Sequence, residues 1–372
     1  MAAYIIRRLL LMIPTILGIM AVTFVVTQFA PGGPVEQVLA QLSGQDVSAT
    51  ERFTGGNSDF NQDTQFQDLQ GGGGESLSSK YRGAQGLDPE YIAQLEREFG
   101  FDKPPLERFL SMVSSYLVFD FGQSYFRDIS VVDLFIEKMP VSISLGLWMT
   151  LLSYGISIPL GVAKAVRDGS RFDVWTSMVV IIGYAIPGFL FAILLIVLFA
   201  GGSFWNIFPL RGLTTPGASE WPLWQQVLDY FWHLVLPLTA MALSAFATTA
   251  LLTKNSFLDE IRKQYVQTAR AKGLTENQVL YRHVFRNAML IVIAGFPGAF
   301  IGAFFAGSLL IEAIFSLDGL GLLGYESVIN RDYPVVFATA YVFGVIGLLL
   351  QLMSDVIYTL IDPRIDFESR EV

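Results

Sequence analysis

The chain has 372 residues, of which 52% are hydrophobic and only 15% are charged, whereas soluble domains carry roughly 25% charged residues. Its formal net charge of −9 argues against a nucleic-acid-binding function. There is no cysteine, which excludes disulfides and thiolate metal sites, and His233 and His283 lie too far apart to form a ligand motif. We therefore expect no metal or cofactor on this chain.

Long apolar stretches dominate the sequence. A bilayer core about 30 Å thick is crossed by a helix of roughly 20 apolar residues. The stretches that reach this length cover about 4–29, 140–164, 173–200, 231–253, 287–311 and 334–361. The sequence therefore predicts an all-α integral membrane protein with six transmembrane helices. Its parts are a first helix at 1–29, a large external loop at 30–139, a five-helix core at 140–361 and a tail at 362–372.

Lysine and arginine are distributed unevenly between the two sides of the membrane. They cluster before the first stretch, around the 165–172 turn, in the 254–286 connection and in the tail. The opposite short loops, 201–230 and 312–333, carry only Arg211 and Arg331. Short basic loops stay in the cytoplasm. Both termini and the 254–286 connection are therefore predicted to be cytoplasmic, and the 30–139 loop to be external.

The external loop has two parts of different composition. Residues 43–86 are rich in Ser, Gly, Gln, Asn and Asp, so we expect a flexible insertion that buries little apolar surface. Residues 87–139 should fold, with helices that start at Asp88-Pro89, at Pro104-Pro105 and after Ser130, the last ending near Pro140. This part is either a helical cap packed on the spans or a docking surface for an external partner.

The 254–286 connection is too long to be a simple membrane turn. Phe257, Ile261, Tyr265 and Ala269 recur every four residues and predict one helical face. Gly273 then ends this helix, and Thr275 and Gln278 form a capping box that starts another. The expected arrangement is helix, glycine, helix at the membrane surface. It is either an ordinary interfacial amphipathic helix or a helix that docks another protein.

The fifth stretch contains three phenylalanines spaced four apart, and so on roughly one helix face: Phe296, Phe300 and Phe304. This face is either a packed helix interface or an apolar gate on a transport pathway. Ionisable residues are few in the stretches, mainly Asp355 in the sixth and Glu312 at the end of the fifth. For Asp355, a hydrated or helix-paired carboxylate is favoured over a substrate or proton site.

The nucleotide-binding motif G-x-x-x-x-G-K-[ST] is absent, as are the metalloprotease and nucleophile-elbow patterns. These absences indicate a chain that is not an enzyme and that draws energy from another subunit. The alternatives that the residues leave open are an ion- or proton-coupled secondary transporter and a non-transporting membrane scaffold.

The run YVQTARAKG, from Tyr265 to Gly273, resembles the EAA loop of ABC-importer permeases, in the form used by the dipeptide, oligopeptide and nickel subfamily. Runs at 30–34, 99–104, 120–124 and 362–364 are similar to other parts of the same subfamily. The resemblance implies a coupling helix that sits in a cleft of a cytoplasmic ATPase. Carried over by position, its residues are Gln267, Thr268 and Ala269, which stand where the motif has Glu-Ala-Ala, followed by Arg270, Ala271, Lys272 and Gly273.

The resemblance also implies the type I ABC importer permease fold and a bacterial inner-membrane location. Its implied partners are a second homologous permease, cytoplasmic ATP-binding subunits that carry ATP and Mg, and a periplasmic peptide-binding protein. The implied cargo is peptide, with oligopeptides, microcin C and muropeptides as candidates and nickel as the alternative. The general motif departs from this chain at its first two positions and at its ending, where residues 283–286 replace Ile-x-Leu-Pro.

Overall fold

The computed structural model describes residues 2–29, 33, 35, 38, 96, 101–127, 129–201, 204–301 and 309–361. The expected flexible insertion at 43–86, the expected helix after Asp88 and the tail at 362–372 lie outside the described residues. Within those ranges the chain is helical, with a single isolated antiparallel bridge between Gln123 and Ser130 and no sheet.

The described residues form α-helices of widely different length. In chain order they are α1 Ala2–Phe29, α2 Pro105–Leu117, α3 Val131–Val166, α4 Arg171–Ala185, α5 Gly188–Phe199, α6 Leu223–Ile261, α7 Gln264–Ala271, α8 Glu276–Val279, α9 Phe285–Ile301, α10 Leu309–Ile314, α11 Leu320–Ile329 and α12 Tyr333–Ile361. A 3-10 helix at Ala218–Glu220 precedes α6, and a π-helical turn at Leu280–Val284 joins α8 to α9.

By length and apolar composition, four helices could each cross a membrane alone: Tyr4–Phe29, Val131–Val166, Glu276–Phe300 and Tyr333–Ile357. Two further spans are possible among the described residues if each of two bent helix pairs counts as one span. These pairs are α4 with α5, and the two halves of α6. The structure therefore agrees with six spans if each bent pair crosses once.

The third predicted span, 173–200, is not one continuous helix. α4 ends at Ala185, α5 begins at Gly188, and the two helices are bent by 93° relative to each other. Between them Ile186 has an extended conformation, at φ −85° and ψ 120°. The ring of Pro187 disfavours the helical conformation in the residue before it, which explains the break. The prediction of a single helix is wrong at this step.

The boundaries of other predicted elements also differ. Ser130 caps a helix, as predicted, because its hydroxyl accepts a hydrogen bond from the N–H of Asp133 at 3.1 Å. That helix does not end near Pro140, however, but continues to Val166. The predicted span at 287–311 is helical to Ile301 and again from Leu309, with residues 302–308 outside the description. α11 occupies the predicted short loop at 312–333 and was not expected.

The chain divides into two compact units. The first comprises Met1–Leu11, Lys138–Leu322 and Val345–Val372, and the second comprises Met12–Glu137 and Leu323–Gly344. The core of the first unit lies along α6, where side chains from α3, α5 and α10 pack against it. Its buried members include Leu145, Met149, Leu195, Leu234, Leu238 and Ile311.

Glu312 is fully buried at the edge of this core. Its Oε1 accepts a hydrogen bond from the Ser142 hydroxyl at 3.2 Å, and its Oε2 accepts one from the backbone N–H of Leu322 at 2.7 Å. A side chain at Gly319 would collide with the Glu312 carboxylate. Glu312 therefore fixes the chain that follows α10. This is a structural role, because each of these contacts is to the protein itself.

Asp355 is paired within the first unit. Its Oδ2 accepts a hydrogen bond from the Tyr4 hydroxyl at 3.0 Å and lies 2.9 Å from a guanidinium nitrogen of Arg8. The carboxylate thus connects α12 to the beginning of α1. Of the two interpretations given by the sequence, the geometry favours a helix-paired carboxylate.

In the second unit, α2 packs against α1 and the start of α12. The rings of Phe24 and Phe109 lie 5.3 Å apart, and the Tyr116 hydroxyl donates to the carbonyl of Pro334 at 3.2 Å. Asp332 accepts hydrogen bonds from the Ser124 hydroxyl and from a backbone N–H, and burial raises the pKa of its carboxyl. The described part of the predicted external segment therefore forms a helical cap on the spans.

Candidate functional site

The predicted docking segment is a separate short helix rather than an extension of the preceding span. α6 ends at Ile261, and Lys263 is extended, at φ −73° and ψ 151°, before α7 begins. The prediction of one continuous helix from 257 to 269 is therefore wrong at this junction. The break redirects α7 so that its apolar side packs into the same buried cluster as Phe257 from α6.

α7 has one buried face and one exposed face. Val266 and Ala269 are 0% and 5% exposed, and they pack in a cluster with Phe257, Val279 and Val284. The other six residues carried over from the EAA motif are exposed: Gln267, Thr268, Arg270, Ala271, Lys272 and Gly273. Ala269 therefore anchors the helix to the core, whereas the remaining positions are free to contact another protein.

Gly273 ends α7 in the way the sequence predicted. Its N–H donates to the carbonyl of Arg270 at 2.9 Å, and the N–H of Leu274 donates to the carbonyl of Ala269 at 3.4 Å. This pattern is a Schellman motif, which needs a residue in the left-handed region, and Gly273 has φ +82°. A β-carbon at Gly273 would have no atom within 4 Å. Glycine is therefore required here by the backbone angle and not by lack of space.

The turn after Gly273 is stabilised from both sides. Thr275 and Gln278 form the predicted capping box at the start of α8. Across the turn, Arg270 makes two hydrogen bonds of 3.0 Å to the two carboxylate oxygens of Glu276. Both side chains are well exposed, so the pair contributes about 0–1 kcal/mol to stability. It does, however, hold Arg270 in one orientation on the outward face of α7.

Tyr265 connects α7 to the helices on both sides of it. Its hydroxyl donates to the Glu260 carboxylate at 2.6 Å and accepts from the Asn287 side-chain amide at 3.1 Å. The Tyr265 hydroxyl also lies 3.4 Å from the carbonyl of His283. Burial and the neighbouring Glu260 carboxylate raise the pKa of Tyr265, so it remains a proton donor. These contacts therefore join α7 to the end of α6 and to the start of α9.

A buried ion-pair network lies where α3, α4 and α6 meet. Lys164 is 0% exposed, and its amine is 3.3 Å from Asp173 and 2.6 Å from the Ser177 hydroxyl. Asp173 also pairs with Lys254 at 2.7 Å, and Lys254 pairs with Asp168 at 3.0 Å. From the sequence these lysines were simply positive charges that set orientation. Their partners are Asp173 on α4 and Asp168 in the turn before α4, and no short-range sequence pattern indicated this network.

The predicted gate residues are only partly within the described chain. The ring of Phe296 packs edge-on against Tyr154 of α3 with centroids 5.1 Å apart, and Phe300 is partly buried one turn later. Phe304 lies outside the described residues. The described residues contain no group of His, Cys, Asp or Glu side chains that could hold a metal ion.

The fold and the site together define a helical membrane protein that presents a short two-faced helix anchored to its own core. The family described as binding-protein-dependent transport system inner membrane component matches residues 157–367 of this chain. The chain belongs to that family, which confirms the resemblance seen in the EAA-like run. Family membership also decides against the secondary-transporter and scaffold alternatives.

Individual relatives are similar over the full length. The peptidoglycan transport system permease protein YejB of Agrobacterium fabrum is 67% identical, covering 100% of both chains. The inner membrane ABC transporter permease protein YejB of Escherichia coli O157:H7 is 56% identical, again covering 100% of both. The oligopeptide transport system permease protein AppB of Bacillus subtilis is 33% identical, covering 99% of this chain and 100% of that protein.

The Tyr265 contacts generate a first prediction. Tyr265→Phe removes the hydroxyl that joins Glu260, His283 and Asn287, and should lower stability by about 1–2 kcal/mol because hydrogen bonds among partly buried groups are lost. The measurement is thermal unfolding of the purified protein in detergent. Tyr281→Phe is the matched control, because Tyr281 is 62% exposed. Equal unfolding temperatures for the two variants would contradict a connecting role for Tyr265.

Proposed function

We propose that this chain is one of two permease subunits of an ATP-driven peptide importer in the bacterial inner membrane. The observation that carries the proposal is the exposed, largely polar face of α7. The opposite face of this helix packs into the core, and its sequence resembles the coupling motif of the family. The names of the full-length relatives support peptide cargo, since they refer to peptidoglycan and oligopeptide transport. Muropeptides, which combine both descriptions, are the substrate that we favour.

The proposed complex contains a second homologous permease, cytoplasmic ATP-binding subunits that hold ATP and Mg, and a periplasmic peptide-binding protein. This chain has no P-loop sequence, so the energy must come from the separate ATPase. A peptide cannot cross hydrocarbon alone, because each stranded backbone polar group costs several kcal/mol. The two permeases would therefore enclose a path that opens alternately to each side.

In this proposal α7 is the coupling helix. Residues 267, 268 and 270–273 would contact a cleft of the ATPase, and Ala269 would hold the helix against the permease. Movement of the ATPase would then shift α7 and, through Tyr265, the ends of α6 and α9. Because α9 continues to Phe296 and Phe300, the same movement would reach the proposed gate.

Orientation provides a direct test of this arrangement, because the chain has no natural cysteine. Single cysteines at exposed positions should report their side of the membrane. Asp102→Cys and Ser219→Cys are expected to react with an impermeant thiol reagent added to intact spheroplasts. Asn277→Cys should react only after the membrane is permeabilised. The reverse pattern would place α7 outside and remove the coupling proposal.

Coupling itself is tested with Gly273→Arg in the assembled complex. The bulky charged side chain would project from the proposed interface and should abolish both peptide uptake and peptide-stimulated ATP hydrolysis in proteoliposomes. Gly169→Arg is the matched control, because Gly169 also has a positive φ, of +72°, and no atom within 4 Å of a β-carbon. Both variants strain the backbone, so a loss limited to Gly273→Arg points to docking. Normal hydrolysis by an assembled Gly273→Arg complex would refute it.

The gate is tested with Phe296→Ala. If the ring seals the path, its removal should let small solutes leak through the assembled complex in the absence of ATP. Phe285→Ala provides the control, because Phe285 also packs against another ring, at 5.7 Å from Phe257. A ring that only packs would cause lower thermal stability without a leak, and that result would leave Phe296 as a structural residue.

A further inference from the structure

The first unit contains a cavity of about 760 Å³ at the break between α4 and α5. Its walls come from α3, α6, α9 and α10 as well as from the break itself. The lining includes apolar side chains such as Met149 and Met241 and the hydroxyl-bearing residues Thr150, Ser153, Tyr154, Tyr184, Thr248 and Thr249. Among the residues that the structure describes, the lining contains no Asp, Glu, Lys, Arg or His.

Because the helix is interrupted, backbone N–H groups at the start of α5 lack the carbonyl partners that a continuous helix would supply. α5 has 12 residues, and its first residues, Gly188 and Phe189, line the cavity. The N–H groups of Gly188 and Phe189 find no acceptor among the described residues, since the first helical-type bond of α5 is that from Phe191 to Pro187. Free N–H groups at a helix start attract acceptor oxygens and favour negative charge.

Ser153 provides an independent sign of a ligand in the same cavity. Its side chain is among the buried polar ones, at 4% exposure, and its hydroxyl makes no hydrogen bond to any residue that the structure describes. Serine and threonine in helices normally bond to the carbonyl one turn back, as Thr150 does to Gly146 at 2.7 Å and Thr253 to Thr249 at 2.8 Å. Ser153 does not, so its hydroxyl is available to a molecule in the cavity.

We propose that this cavity binds a main-chain oxygen of the transported peptide, either an inner carbonyl or the terminal carboxylate. The donors are the Ser153 hydroxyl and the N–H groups at the start of α5. Non-helical backbone at membrane depth is tolerated where it lines a water-filled cavity. Residues on both sides of the break line the cavity described above. The donors are uncharged, and the described lining carries only apolar and hydroxyl-bearing side chains beside them. Binding therefore recognises the peptide backbone and does not select cargo by the charge of its side chains. This inference rests on the proposed function, and it identifies where the proposed importer would bind its substrate.

The first test compares two serines on α3. Ser153→Ala should raise the peptide concentration for half-maximal uptake by about two- to tenfold, which corresponds to the loss of one hydrogen bond. Ser157→Ala is the control, because Ser157 is equally buried but donates to the carbonyl of Phe246 at 3.2 Å and does not line the cavity. An unchanged half-maximal concentration for Ser153→Ala would overturn the subsite.

The second test needs no transport. Thr248→Cys places a thiol at the cavity wall, and millimolar trialanine should slow its reaction with a small thiol reagent in the purified complex, as read by mass spectrometry of this chain. Asn255→Cys, exposed on the same helix and outside the cavity lining, should show no protection. Protection by trialanine but not by trialanine amide identifies the carboxylate, and protection by both identifies an inner carbonyl. Protection by neither overturns the proposal.

Failure of the subsite and failure of the proposed function give different results. If the wild-type complex imports peptide but Thr248→Cys is never protected, the importer stands and the cavity is not its subsite. If no ATPase co-purifies with the chain and no peptide is imported, the proposed function itself fails.

Discussion

Inside the hydrocarbon of a bilayer, every backbone N–H and C=O group needs a hydrogen-bond partner, and this requirement determines the architecture of the protein. Long helices meet that need internally, and α1, α3 and α12 do so over spans of 28, 36 and 29 residues. One interruption among the described residues is the step at Ile186 and Pro187, where the helix stops within an apolar stretch. There the freed groups face a cavity instead of packed side chains. Among the described residues of the first unit, the break is therefore a place where the bilayer constraint permits the polar ligand that we propose.

Local chemistry explains which features were predictable. Gly273 and the Thr275–Gln278 box were predicted correctly because a left-handed cap and a capping box depend on residues only a few positions apart. The bend at Pro187 also has a local cause, yet the apolar run across it hid the break. The roles of Glu312 and Asp173 were not predicted, because each carboxylate also has a partner far away in sequence, Ser142 for Glu312 and Lys254 for Asp173. The exposed and buried faces of α7 required knowing that the chain turns at Lys263.

Within the first unit, charged side chains are distributed differently in the ion-pair network and in the cavity. Around Lys164, Asp173 and Lys254, opposite charges neutralise one another where three helices meet, which holds the helix ends in a fixed relation. The described part of the cavity lining carries no Asp, Glu, Lys, Arg or His side chain. A site that recognises a main chain benefits from this separation, because a fixed charge in the wall would favour some cargo side chains and reject others.

If α7 docks an ATPase as proposed, its division into two faces has a consequence for how permeases and ATPases become matched. Ala269 and Val266 are buried in the core cluster, so packing constrains their identity. The outward side chains of Gln267, Thr268 and Lys272 are exposed, in contrast to Gly273, which the backbone angle restricts to glycine. On the proposed function, partner choice would change by substitution at such exposed positions while the buried face of α7 stays the same. Two paralogous importers in one cell could in this way keep their motors apart without altering their membrane domains.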